Sequence, residues 1–263
     1  MTPKISLVAS AMRVKEWPKM FNSVKGNNYP IEIILVGHIK PDYELPPFVK
    51  YIYATVKPSQ CYEIGFRAAT GELVGWTADD AEYDYQQPNN LDILYNFYKS
   101  FNKRELVVGQ RPIEDHHDVY KNHYFFGKRI NTPYMYPFGF MDRTLFHELG
   151  GYDRRFVCGQ SENDMVMRVY EIGGEGAICL NSFVAVDHTN KHDWNHTKTN
   201  GFRHWYPKDR EILENAWCKR GYGYFKRTDQ IGEISKTRLL PVESFEQRDD
   251  ITTISQGEKG SWQ

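Results

Sequence analysis

The chain has few cysteines, no long apolar run and almost no net charge. Its four cysteines, Cys61, Cys158, Cys179 and Cys218, stand apart with no CxxC spacing, so neither a zinc cluster nor a disulfide framework organises it. No apolar stretch approaches the roughly 18 residues a membrane-spanning helix needs. The opening MTPKISLVASAMRVKEW has an apolar stretch of only about seven residues, interrupted by Arg13 and Lys15, which makes a poor secretory signal. The expected setting is cytoplasmic. Lys+Arg 33 against Asp+Glu 34 leaves a net charge of −1 over 263 residues, which excludes coating nucleic acid by bulk charge. Internal repeats and low-complexity tracts are missing as well. What is there is ordinary globular composition with 15% aromatic residues, enough rings to fill a core and leave faces for ligand stacking.

Strand and helix signals alternate through the first third. Residues 5–11 form a short apolar run, and 15–24 carry Trp17, Met20, Phe21 and Val24 at helical spacing. IEIILV (31–36) reads as a buried strand, VKYIYA (49–54) as another. Residues 62–69 fit a helix closed at Thr70-Gly71, and ELVGWTA (72–78) is a strand running into Asp79-Asp80. This order predicts an α/β fold with a mostly parallel sheet flanked by helices. Ligands of such sheets sit beyond the carboxyl ends of the strands, where Asp79 and Asp80 fall. Further on, 91–101 is an amphipathic helix and 106–109 a short strand followed by a His116-His117 loop. Helices follow at 145–151 and 161–172, then two short strands at 177–180 and 184–186. The division expected is 1–84 and 85–190 as two halves of one catalytic domain, then a partly helical aromatic and basic extension, 191–263, with a flexible tail.

Three clusters carry candidate chemistry. Asp79, Asp80, Glu82 and Asp84 crowd together after a buried strand; such carboxylates repel one another unless a cation neutralises them. Hard cations such as Mg²⁺ or Mn²⁺ suit them, and a solvated acidic turn is the plain alternative. In SENDMVMR (161–168), Asp164 and Arg168 share a helix face while Glu162 sits at the helix start. A carboxylate there serves either as a general base or as a charge favoured by the helix dipole. His188 follows a short strand, ahead of His192, His196 and His204. It is a metal ligand or a structural histidine.

The order of these clusters resembles the GT-A glycosyltransferases, nearest in style to the large family 2 of nucleotide-sugar-dependent enzymes. Residues 5–13 resemble the opening strand and nucleotide loop. SQCYEIGFRAATGELVGWTADD (59–80) resembles the segment leading into the metal-binding DxD motif. GGYDRRFVCGQSENDMVMR (150–168) resembles the acceptor-side segment, and VAVDH (184–188) the late strand whose histidine completes the metal site. The match spans residues 5 to 188. Departures are visible: the second strand ends Val36-Gly37-His38 in place of an acidic residue, and Thr77 occupies the first carboxylate position of the motif.

The resemblance implies a Rossmann-like mixed sheet and sugar transfer from a nucleotide diphosphate sugar, UDP-linked by first expectation, to a hydroxyl acceptor. It implies Mn²⁺ or Mg²⁺ on Asp79, Asp80 and His188, and a donor held by Ala9, Ala11, Arg13, Arg67 and Asp79. Glu162 or Asp164 would be the base of an inverting displacement; a retaining enzyme would need none. Tyr136, Phe138, Phe140 and Trp194 are candidate sugar platforms or core filler. Residues 191–227 hold nine basic against four acidic residues, interleaved with aromatics. That suits a polyanionic acceptor, a glycan first and DNA second, or simply a helical cover for the sheet. A nucleotidyltransferase is disfavoured because Ala9-Ser10-Ala11-Met12-Arg13 lacks the glycine-rich phosphate loop. A non-catalytic sugar- or nucleic-acid-binding module is the rival from another class.

Overall fold

Ile5–Ser10 buries the side chains of both its faces, which only an interior strand covered by helices on each side can do. It is strand β1 of a mixed sheet. The structure is a computed structural model that describes residues 2–118, 138–187 and 205–216 with their side chains. It gives the backbone course alone for 128–129, 132–133, 200–204, 217, 219–220 and 223–224.

The first half contains β1, α1 (Trp17–Ser23), β2 (Ile31–Gly37), β3 (Val49–Tyr53), α2 (Pro58–Ala68) and β4 (Leu73–Ala78). The second continues with α3 (Asn90–Ser100), β5 (Leu106–Glu114), β6 (His117–Asp118), the two-residue pair β7 (Lys128–Arg129) and β8 (Thr132–Pro133), and β9 (Gly139–Asp142). Then come α4 (Arg143–Glu148), α5 (Ser161–Glu171), β10 (Glu175–Val186), α6 (Asn200–Trp217) and the pair β11 (Lys219–Arg220) and β12 (Gly223–Tyr224). Among the described residues the main sheet runs β10-β5-β9-β4-β1-β2-β3, with β6 folded back on β5. β3, β2, β1 and β4 are parallel. β9 lies antiparallel between β4 and β5, and β10 runs parallel to β5.

Two features differ from the sequence reading. The strand GFMD was not expected, being four residues long and opened by a glycine; it exists because small and large residues interlock across it. Gly75 of β4 lies opposite Phe140 of β9, and a Cβ on Gly75 would collide with the Phe140 ring, as one on Gly139 would with Trp76. Phe138 and Phe140 are therefore core, not sugar platforms. The two short strands predicted near the end are one strand, β10, with its register broken between Cys179 and Phe183. Asn90, at the start of α3, fills the break: its carbonyl accepts from Ser182 Oγ at 2.7 Å and its Oδ1 from the Phe183 N–H at 2.8 Å.

No helix among the described residues is long and apolar enough to cross a membrane. Helix α6 packs Leu213 and Ala216 against Phe156 and Met167, so it is joined to the loop that precedes α5.

Candidate functional site

The carboxyl ends of β1, β2 and β4 open on one edge of the sheet, where a parallel α/β sheet takes its ligands. Asp79 follows β4 directly and is almost fully buried. Its Oδ2 accepts the main-chain N–H groups of Met12 at 2.7 Å and Arg13 at 2.6 Å, and the Trp17 indole N–H at 3.2 Å. Its Oδ1 accepts from Arg13 Nε at 2.6 Å and pairs with Arg13 Nη2 at 2.5 Å. Arg13 Nη1 reaches Asp80 Oδ2 at 2.7 Å. Burial works to raise the Asp79 pKa, but the Arg13 charge and the N–H groups of Arg13 and Met12 outweigh it and hold the carboxyl below the ordinary aspartate range. The cation demanded by the two adjacent aspartates is thus supplied in part by the protein itself.

The acidic run then meets the end of β10. Glu82 and Ala185 exchange both main-chain hydrogen bonds, at 2.8 and 2.9 Å. Burial, together with the negative charges of Asp84, Asp187 and Glu16, raises the Glu82 pKa against the pull of Lys19. Asp187 therefore stands beside the Asp79–Asp84 segment, and His188, the next residue, lies outside the described residues, as do Tyr136, His192, His196 and Trp194.

The opposite wall is built by α2 and α5. Ser59 donates its N–H to the Val157 carbonyl at 3.0 Å, and the hydroxyls of Ser161 and Ser59 meet at 3.1 Å, so the first turns of the two helices converge. Gly151 takes φ +79°, a conformation costly for residues with a side chain. A Cβ there would stand 2.6 Å from Glu63 Oε2. That turn delivers Tyr152, whose N–H donates to Glu63 Oε2 at 2.9 Å. Gln160, also at positive φ, leads into Ser161 and Glu162.

Glu162 is half-buried. Burial raises its pKa, and the negative charge of Asp209 adds to the rise, against hydrogen bonds from its own N–H and the Ser161 side chain. Three tyrosines are coupled to it: the pKa values of Tyr62, Tyr152 and Tyr206 are all raised by burial first and then by the Glu162 charge. Tyr62 also feels Asp79 and Arg13, and its hydroxyl donates to the Thr77 carbonyl at 2.7 Å. Through that bond and the Ser59–Ser161 contact, α2 lies against both the end of β4 and the start of α5.

The other candidates fall elsewhere. Asp164 is fully buried and pairs with buried Arg168 at 2.7 Å; Arg168 Nη1 also donates to the carbonyls of Leu149 and Gly151. These two residues hold the Gly150–Gly151 turn onto α5. Arg67 lies in the last turn of α2, at the end leading back to the start of β4. It bonds Glu63 at 2.6 Å and the Gly150 carbonyl at 3.3 Å, and the structure does not bring it to Asp79. Ala9 and Ala11 are wholly buried, Ala11 donating its N–H to the Val36 carbonyl. They shape the floor beneath Met12 and Arg13 and expose no side chain. Sequence reading missed Tyr62, Tyr152 and Asp209; the first two lie within the matched segments, next to Cys61 and Gly151, while Asp209 has no local signal.

This architecture is the GT-A fold of the glycosyltransferases. The chain superposes on GalNAc-T7, solved with UDP, GalNAc and Mn²⁺, at a TM-score of 0.62 and 14% identity, over 90% of this chain and 54% of that one. It also superposes on the mannosyltransferase PcManGT from Pyrobaculum calidifontis, solved with GDP-Man and Mn²⁺, at a TM-score of 0.56 and 16% identity, over 80% of this chain and 65% of that one. The chain thus spans about half the length of the first and under two thirds of the second. No family model and no curated protein matches it.

Proposed function

We propose that the chain is a glycosyltransferase that moves a sugar from a nucleotide diphosphate sugar to a hydroxyl acceptor, with Glu162 as general base. The observation that carries this is α2, which bonds the end of β4 through the Tyr62 hydroxyl and the Thr77 carbonyl and meets the first turn of α5 through Ser59 and Ser161. A carboxylate of raised proton affinity therefore opens a helix that has α2 as a neighbour in common with the strand leading to Asp79. Glu162 accepts the acceptor's proton as the acceptor oxygen bonds to the anomeric carbon and the bond from that carbon to the diphosphate breaks. Burial favours that proton transfer near neutral pH, and the acceptor leaves the site as a glycoside.

The residues present fit a divalent cation in one respect and not in another. Asp79 has both oxygens committed to Arg13, Met12 and Trp17, which supports assigning it to anchor the loop after β1 rather than to bind a cation. Asp187 adds negative charge near Glu82, and Asp80 shares Arg13 through one oxygen; these two hard oxygen donors, with His188, are the residues that would hold Mn²⁺ or Mg²⁺. Such an ion offsets charge on a leaving diphosphate. Arg13 already brings one positive charge to the same place.

The donor is a UDP- or GDP-sugar, and the acceptor a glycan or other polyanion. The basic stretch 191–227 supports the latter; within it Lys208 stacks over Trp205 at 4.3 Å. Titration calorimetry with UDP and GDP, with and without Mn²⁺, tests the reading. Binding of one nucleotide, strengthened by Mn²⁺ and weakened in Asp80→Asn, is expected. No binding of either nucleotide under any condition overturns it.

A further inference from the structure

We propose that Asp209 is a positioning residue for Glu162, reaching back from α6 to fix the loop that launches the first turn of α5. The inference rests on Glu162 being the base. Asp209 has no exposed surface. Its Oδ1 accepts the Val157 N–H at 3.0 Å, and its Oδ2 accepts those of Cys158 at 2.6 Å and Gly159 at 2.9 Å. Three consecutive N–H groups pointing at one place form an anion-binding nest, and here the anion is a side chain of the protein. One turn earlier in α6, the Tyr206 hydroxyl accepts from Gln160 Nε2 at 2.7 Å, and Gln160 Oε1 in turn accepts from Asn163 Nδ2 at 2.7 Å. Every residue from Val157 to Gln160 is therefore tied to α6, and Glu162 follows two residues later.

The arrangement has an electrostatic consequence. Asp209 brings a second negative charge toward Glu162, and like charges disfavour ionisation. Among the described residues, the titratable groups whose charge or proton affinity is coupled to Glu162 are Asp209 and Tyr206 from α6, Tyr62 from α2, and Tyr152 from the turn before α5. The tyrosines are neutral, so among these Asp209 supplies the charge. Helix α6 thus helps to place the base and adds to the rise in its proton affinity that burial begins.

The test is Asp209→Asn. An asparagine presents an NH₂ where the nest needs a second acceptor, so at least one of the three N–H groups loses its partner. With ¹³C-labelled glutamate, the Glu162 carboxyl carbon should titrate at lower pH in the variant than in the wild type. The acid limb of transfer should move the same way. Turnover should fall by about tenfold or more, the scale of a small misplacement of a reacting group, with the donor KM unchanged. Glu162 titrating at the same pH in both proteins, with turnover lost only in proportion to unfolded protein, overturns the proposal. If neither protein consumes a donor, the transferase reading and the base role fall together, and the carboxyl titration alone reports whether the two carboxylates are coupled. If Asp209→Asn does not fold, the wild type decides. Its Glu162 carbon should show a second inflection where Asp209 titrates, and a single inflection overturns the coupling.

Discussion

Arg13 meets Asp79 from two directions, its main-chain N–H donating to Oδ2 at 2.6 Å and its Nε to Oδ1 at 2.6 Å. One aspartate after β4 thereby fixes the loop after β1, and the edge of the sheet acquires a defined shape before any ligand arrives.

Asp79→Asn should therefore act on folding as well as on nucleotide binding. Asp79 is buried, but Arg13 is only partly so and keeps Asp80 as a partner, so the loss should fall below the roughly 3–5 kcal/mol of a fully buried pair and be seen as a lower urea midpoint at pH 7. The pH dependence follows from the sign. The folded pKa lies below the unfolded one, so the stability Asp79 contributes is fully present above the usual aspartate range and is lost as pH falls through the folded value. Wild type and variant should converge in acid; a constant difference down to low pH would contradict the anchor role.

Glu162→Gln should do the reverse. Its folded pKa is raised, so ionising it costs stability once the pH passes the ordinary glutamate range. The variant should melt higher than the wild type at neutral pH, and the gap should close in acid. Transfer should fall by about 10²–10⁴-fold, the usual range for a general base, while nucleotide affinity stays the same.

Asp164→Asn separates the two carboxylates of that helix. Asp164 and Arg168 are both fully buried, so the variant should lose about 3–5 kcal/mol and keep normal turnover per folded molecule. Turnover lost at unchanged melting temperature would instead make Asp164 the base.

Much of this was legible in the sequence because the informative residues are local. The buried runs of β1, β2 and β4, the acidic turn after β4 and the Gly150–Asp153 segment each announce themselves within a few residues. The Asp164–Arg168 spacing was equally visible, but not its burial, which depends on the carbonyls of Leu149 and Gly151 folding over Arg168. The acidic cluster suggested a cation without showing that Arg13, 66 residues away from Asp79, supplies one. Asp209 was hidden for the same reason: its partners lie 50 to 52 residues earlier, and a lone aspartate among the charges of 191–227 carries no pattern. Strand β9 escaped because its stability comes from the interlock of Gly75 with Phe140 and Gly139 with Trp76, not from any run of its own.

The most direct measurement is release of nucleoside diphosphate from UDP- and GDP-sugars in Mn²⁺, with glycan and DNA acceptors side by side, for the wild type, Asp80→Asn and Glu162→Gln. The wild type should consume one donor, faster with one acceptor class; Glu162→Gln should lose at least about a hundredfold, within the range for removing a general base, and Asp80→Asn should lose activity too. A wild type that consumes no donor and shows no thermal shift with any nucleotide would contradict the transferase and leave a binding module. Undiminished transfer by Glu162→Gln would contradict the assigned base.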